Sequence, residues 1–147
     1  MKKLFTIGFT QKTAEEFFTL LQYNQVRRVI DVRLFNRTQL SGFSKFPDIR
    51  YFLKTIADIE YIHDTELAPS PELLRDYKAH QVNWEQYVDI FNDLMLERRV
   101  GEHLKIHYTD FDRYCLLCSE SSAKFCHRRL VAELIKDIFE YVEIIHL

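Results

Sequence analysis

The stretch Cys115-Leu-Leu-Cys118-Ser-Glu120-Ser-Ser-Ala-Lys-Phe-Cys126-His127-Arg128 gathers every cysteine of the chain beside an imidazole, a carboxylate and a guanidinium. Thiols in such company can act as nucleophiles, redox groups or metal ligands. Three cysteines, an odd number, do not describe a disulfide framework. They describe a local site. Leu116 and Leu117 read as strand, and in a strand Cys115 and Cys118 point to opposite faces. Cys115 is therefore expected as a small buried hydrophobe, which disfavours a zinc site using all three thiols and His127. Cys118 falls where the strand ends, and Cys126 at or beside a helix N-terminus. There unpaired amides, the helix dipole and Arg128 favour a thiolate, and either thiol could be a nucleophile, a redox group or a metal ligand. An enzyme acting on an anion would have a Cys126 thiol that reacts unusually fast near neutral pH. Neighbours on a regular helix diverge by about 100°. Cys126 and His127 can therefore face one point only if the helix starts after them.

Other segments carry matching groups. Asp31 with Arg33 follows an apolar run, Arg37 follows in a loop, and His63 closes a third short run. Arg33, Arg37 and Arg128 could offer fork-shaped donors to an anion. Asp31 and Arg33 could equally brace a strand end as an ion pair. His127, His63 and Glu120 are candidates for proton transfer.

The elements that must position these groups alternate. Lys3–Ile7 reads as a strand ending at Gly8, and Thr13 with Glu16 as a capping box for a helix burying Phe17, Phe18 and Leu21. Arg28–Val32 reads as a strand buried in a sheet. Pro47 opens a helix carrying Ile49, Phe52, Leu53 and Ile56, and Glu60–His63 is a third strand. Ser70-Pro71 starts a helix running to about His80. Asn83 with Gln86 caps another, whose Trp84, Tyr87, Val88, Phe91, Leu94 and Met95 form a core stripe. Residues 98–112 are ambiguous, because Leu104, Ile106 and Tyr108 alternate while their neighbours also permit helix. Tyr114–Cys118, a helix through Leu130–Ile138 and Tyr141–Ile145 complete the pattern. Strands separated by amphipathic helices imply one α/β domain over 1–147. It has three layers, a mostly parallel sheet of about five strands, and helices on both faces. In such sheets ligands bind beyond the carboxyl ends of the strands, where Gly8, Asp31, Arg33, His63 and the 118–128 loop all fall.

Composition narrows the function. The chain has 147 residues, 47% hydrophobic and 29% charged, which suits one globular domain. Twenty Lys and Arg against 22 Asp and Glu leave a net charge of −2, with no basic footprint for nonspecific nucleic-acid binding. Only three glycines occur, so neither G-x-G-x-x-G nor a Walker loop can be written. No apolar run approaches a membrane span or a secretory signal, and a cytoplasmic protein is expected. Apolar helix faces would serve the core or a homodimer equally.

The spaced elements resemble the domain-of-unknown-function family 488. Thr6-Ile7-Gly8 resembles its opening strand, with Phe9-Thr10 in place of the usual His-Ser. Asp31-Val32-Arg33, Arg37 and Phe43-Ser44-Lys45 are similar to its next elements. So are Tyr61-Ile62-His63 and Glu66-Leu67, although Ala68-Pro69 replaces a glycine pair. Leu116-Leu117-Cys118-Ser119-Glu120 with Cys126-His127-Arg128 resembles its closing signature, which has no fixed place for Cys115. The resemblance implies an α/β fold and no established activity.

Four functions compete. One is a cysteine-dependent transferase or hydrolase acting on a small anionic, phosphate-bearing or nucleotide-like substrate. Cys118 or Cys126 would be its nucleophile, with Glu120 and His127 beside them and Asp31, Arg33, Arg37, His63 and Arg128 binding substrate. The alternative is a zinc or iron module held by Cys118, Cys126 and His127. The others are a thiol redox module joining Cys118 to Cys126, and an interaction domain presenting the 33–46 loop. The aromatics of that loop, Phe35, Phe43 and Phe46, are expected to tuck into the core.

Overall fold

A computed structural model of the protein describes residues 1–37 and 42–147. The 38–41 part of the 33–46 loop lies outside the described residues. Strands β1 (Lys2–Gly8), β2 (Arg28–Asp31), β3 (Glu60–His63), β4 (Tyr114–Cys118) and β5 (Val142–His146) form one five-stranded sheet. Its order is β3-β2-β4-β1-β5, and every pairing is parallel. Helices α1 (Ala14–Tyr23), α2 (Asp48–Ala57), α3 (Pro71–Lys78), α4 (Trp84–Glu97), α5 (Val100–His107) and α6 (His127–Ile138) cover it.

The alternation of side chains along the strands divides the core in two. Phe5, Ile7, Val29, Cys115 and Leu117 meet Phe17, Phe18 and Leu21 of α1 and Ile49 and Leu53 of α2. Leu4, Ile30, Leu116 and Cys118 meet Tyr87, Phe91 and Met95 of α4, Leu104 of α5, and Leu130, Val131 and Ile135 of α6. The sheet is thus buried on both sides, the condition for an all-parallel sheet. β4 is buried at every position, as its continuous apolar run requires.

Local signals end the helices where the side chains specify. The Thr13 hydroxyl accepts from the Glu16 amide and gives its proton to the Glu16 carboxylate, so the cap forms without the reciprocal arm of the box. Asn83 and Gln86 form the full capping box of α4. Ser70 caps α3 with Pro71 in its first turn. Residues 98–112 resolve mainly as α5, separated from α4 by Arg99 in the left-handed region (φ 55°). Leu104 and Tyr108, one helical turn apart, are buried while Ile106 is exposed. Helical spacing therefore overrides the alternation that suggested a strand.

The loop aromatics divide. Phe43 and Phe46 pack against the α1/α2 core, whereas Phe35 is exposed. No helix among the described residues is long and apolar enough to cross a membrane.

The order of the strands opens the site. The chain leaving β2 enters α2 on one face of the sheet; the chain leaving β4 enters α6 on the other. β2 and β4 are neighbours, so their following loops diverge and leave a crevice between the carboxyl ends of the two strands.

Candidate functional site

Cys118 ends β4 on the side facing α4 and α6. Cys126 is the N-cap residue of α6, with extended backbone (φ −128°, ψ 138°), and His127 is the first helical residue. That non-helical cap removes the divergence expected of helical neighbours. The Cys118 and Cys126 sulfurs and a His127 ring nitrogen all lie within 4.8 Å of one another, and all three residues are buried. Cys115 points to the opposite core, fully buried, and burial pushes its thiol pKa up.

Hydrogen bonding assigns the protons of the cluster. His127 Nε2 lies 2.7 Å from the Val32 carbonyl. A carbonyl only accepts, so Nε2 carries hydrogen and Nδ1 faces Cys118 Sγ at 3.7 Å. The Cys126 thiol, donating to Cys118, is the main cause holding the Cys118 thiol well below its ordinary range. It prevails over burial, and the charge and hydrogen bond of His127 and the Ser119 amide add to it. Donation to Cys118, then burial, push the Cys126 thiol up. Burial opposes a charge on His127, yet its pKa is raised because the Cys118 thiolate faces it. Within this pair the lowered pKa falls on Cys118 and the raised one on Cys126.

A cavity of about 410 Å³ opens above this cluster, within the size range of small-molecule sites. Arg33, Tyr77, Lys78, Tyr87, Glu120 and Phe125 share its lining with Cys118, Cys126 and His127. Arg33 is 4% exposed. It forks onto Asp31 through Nε (2.8 Å) and Nη2 (2.7 Å), and Nη2 also donates to the Ser44 carbonyl (2.8 Å). Tyr61 donates to the same carboxylate at 2.5 Å. Arg33 Nη1 is buried and has no hydrogen-bond partner among the described residues.

The other residues read from the sequence occupy different places. Asp31, fully buried, braces Arg33. His63 Nε2 donates to the Arg33 carbonyl at 2.7 Å, at the carboxyl end of β3 but off the cavity wall. Arg37 is exposed and lies over the Phe46 ring, also away from the cavity. Glu120 is exposed on the wall, and its backbone carbonyl accepts from Arg128 Nη1. Arg128 is fully buried behind the loop, with Nε donating to Thr6 Oγ1 at 3.2 Å, and it does not line the cavity. Tyr77, Lys78, Tyr87 and Phe125 were not legible as wall residues. The aromatic stripe of α4 does pack into the core, and Tyr87 does so while also facing the cavity.

Fold and site together define a doubly wound α/β domain with a thiol–imidazole cluster in the crevice beyond its strands. The chain belongs to the DUF488 family, described as a domain of unknown function, whose family model matches residues 13–135. No curated protein and no solved structure matches the chain.

Proposed function

We propose that the protein is a cysteine-dependent hydrolase or transferase acting on a small anionic, phosphate-bearing or nucleotide-like substrate. The observation that carries this reading is the Cys118–His127 pair at 3.7 Å on the wall of a cavity that Arg33 also lines. Cys118 Sγ attacks the electrophilic centre, and the bond to the leaving group breaks with its electron pair. The Nδ1 proton of His127 passes to that group. Water or an acceptor hydroxyl then attacks the Cys118 adduct, gives its proton to Nδ1 and releases the thiolate. The His127–Val32 hydrogen bond keeps Nδ1 aimed at the sulfur throughout.

Mass-spectrometric mapping of limited iodoacetamide labelling at neutral pH, on chelator-treated protein, tests this. Cys118 is expected to be alkylated well before Cys115 and Cys126. First labelling at Cys126, or equal slow labelling of all three, refutes it.

A second reading has its own support. Three donors within 4.8 Å suit zinc or iron, and the Val32 hydrogen bond fixes His127 Nε2 while leaving Nδ1 for a metal, a usual second-sphere arrangement. Cys118, Cys126 and His127 would hold the ion, with the cavity giving access to a fourth position.

A further inference from the structure

Two residues that line the cavity each carry a hydrogen-bond donor with no partner among the described residues. One is Arg33 Nη1, orphaned although the rest of its guanidinium is tied down. The other is the Tyr87 hydroxyl. Tyr87 is 3% exposed and lines the same cavity, and no hydrogen bond reaches its hydroxyl among the described residues. Buried tyrosine hydroxyls and guanidinium N–H groups ordinarily find partners, because a desolvated donor left unmatched is costly. A buried guanidinium N–H and an unpaired hydroxyl on residues lining one cavity suit an acceptor that a ligand supplies.

Neither group can turn away to find another partner. The Tyr87 ring is stacked on Trp84 (5.2 Å, 14°) and Phe91 (6.0 Å, 10°), with Tyr77 at 4.8 Å. Arg33 is held by Asp31 and Ser44 and lies over the Phe9 ring at 5.2 Å. They approach from different layers, Arg33 from the end of β2 and Tyr87 from α4, and both share the cavity with Cys118. The acidic member of the lining, Glu120, is exposed rather than buried among them.

We propose that Arg33 Nη1 and the Tyr87 hydroxyl form an oxyanion receptor beside Cys118, and that the ligand presents a carboxylate or phosphoryl group to them. This rests on the nucleophile reading above and adds Tyr87 to the site. Rigid, unmatched donors are the arrangement that binds an anion with little reorganisation. A neutral, wholly apolar ligand would leave both unsatisfied.

Alkylation by iodoacetate and by iodoacetamide gives the test. In both, the Cys118 sulfur bonds to the methylene carbon and iodide leaves with the electron pair; only iodoacetate carries a carboxylate. The ratio of the two rates at Cys118 cancels any change in the thiolate itself. In the folded protein the iodoacetate/iodoacetamide ratio is expected to exceed that of the urea-unfolded chain by about tenfold or more, as a hydrogen bond to a charged group implies. Tyr87→Phe is expected to lower the folded ratio by about tenfold. A folded ratio no higher than the unfolded one, or a ratio unaltered in Y87F, overturns the receptor.

The wild-type protein supplies a second measurement if Y87F fails to fold. Inorganic phosphate and acetate are each tested for protection of Cys118 against iodoacetamide. Protection by phosphate alone assigns a phosphoryl ligand, and protection by acetate assigns a carboxylate. Protection by neither overturns the proposal. Trp84, the single tryptophan, reports phosphate binding by fluorescence without using the thiol. An unreactive Cys118 with a phosphate-dependent Trp84 signal would end the nucleophile reading and keep the receptor.

Discussion

Gly8 lies against the backbone of Glu120 so closely that a Cβ at position 8 would sit 1.6 Å from the Glu120 carbonyl oxygen. The contact joins the end of β1 to the loop that follows Cys118, and the Thr10 amide extends the join by donating to the Ser119 carbonyl at 3.1 Å. That Glu120 carbonyl also accepts from the buried Arg128. Backbone on backbone has no room to yield, so Gly8→Ala must displace the loop. The expected cost is about 1–3 kcal/mol by the ordinary scale of overpacking. Urea denaturation measures it, and slowed alkylation of Cys118 should accompany it because Ser119 moves. An unchanged midpoint with unchanged labelling would show that the contact is relaxed in solution.

Asp31 and Arg33 form a buried pair whose carboxylate takes both forks of the guanidinium, the Arg33 amide and the Tyr61 hydroxyl. Asp31→Asn keeps the shape and leaves a buried cation without its counter-charge. A loss of about 3–5 kcal/mol is expected. Tyr61→Phe removes one donor of four and should cost about 1 kcal/mol. Equal effects of the two substitutions would mean that the ion pair carries no special weight.

Cys118 titrates well below an ordinary thiol because the Cys126 thiol donates to it and His127 faces it. Its alkylation rate in metal-free protein should therefore reach its plateau at a lower pH than that of an ordinary thiol, and fall below that inflection as the thiolate gains a proton. Cys126→Ala removes the main stabilising donor and should move the inflection upward. His127→Gln should do the same, since the glutamine can still donate to Val32 but carries no charge. An inflection near the normal thiol value in the wild type contradicts the hydrogen-bond assignment.

Metal content separates the two readings of the cluster. Protein purified without oxygen or chelator is compared with Cys118→Ser and Cys115→Ala by elemental analysis. About one zinc or iron per chain, lost in C118S and kept in C115A, is the result the metal module requires. Its removal by chelator should then lower thermal stability, because binding to the folded state alone stabilises it. Metal-free wild type, isolated without chelator and with three free thiols, leaves the nucleophile reading alone.

Much of the fold was legible because its signals are local. Asn83 with Gln86, Ser70 with Pro71, and Thr13 are caps decided by side chains within one helical turn. The burial of Tyr114–Cys118 follows from five consecutive residues without a charge. Residues 98–112 resisted because Leu104, Ile106 and Tyr108 fit two periods, and only packing against α4 and α6 chose the helical one. Tyr87 resisted for a related reason. Its place in the apolar stripe is correct, yet it also lines a cavity shared with residues far away in the chain.

By itself the sequence determined the strand–helix alternation, the separation of Cys115 from the other thiols and the gathering of reactive groups at the carboxyl edge. Periodicity, capping and strand alternation operate over a few residues, so they can be read along the chain. Only the tertiary structure decided that Cys118, Cys126 and His127 meet, and that Arg128 lies behind the loop while Arg33 lines the cavity. Those outcomes depend on who donates to whom across the crevice. His127 is aimed by a carbonyl 95 residues earlier in the chain, and no local pattern encodes that hydrogen bond.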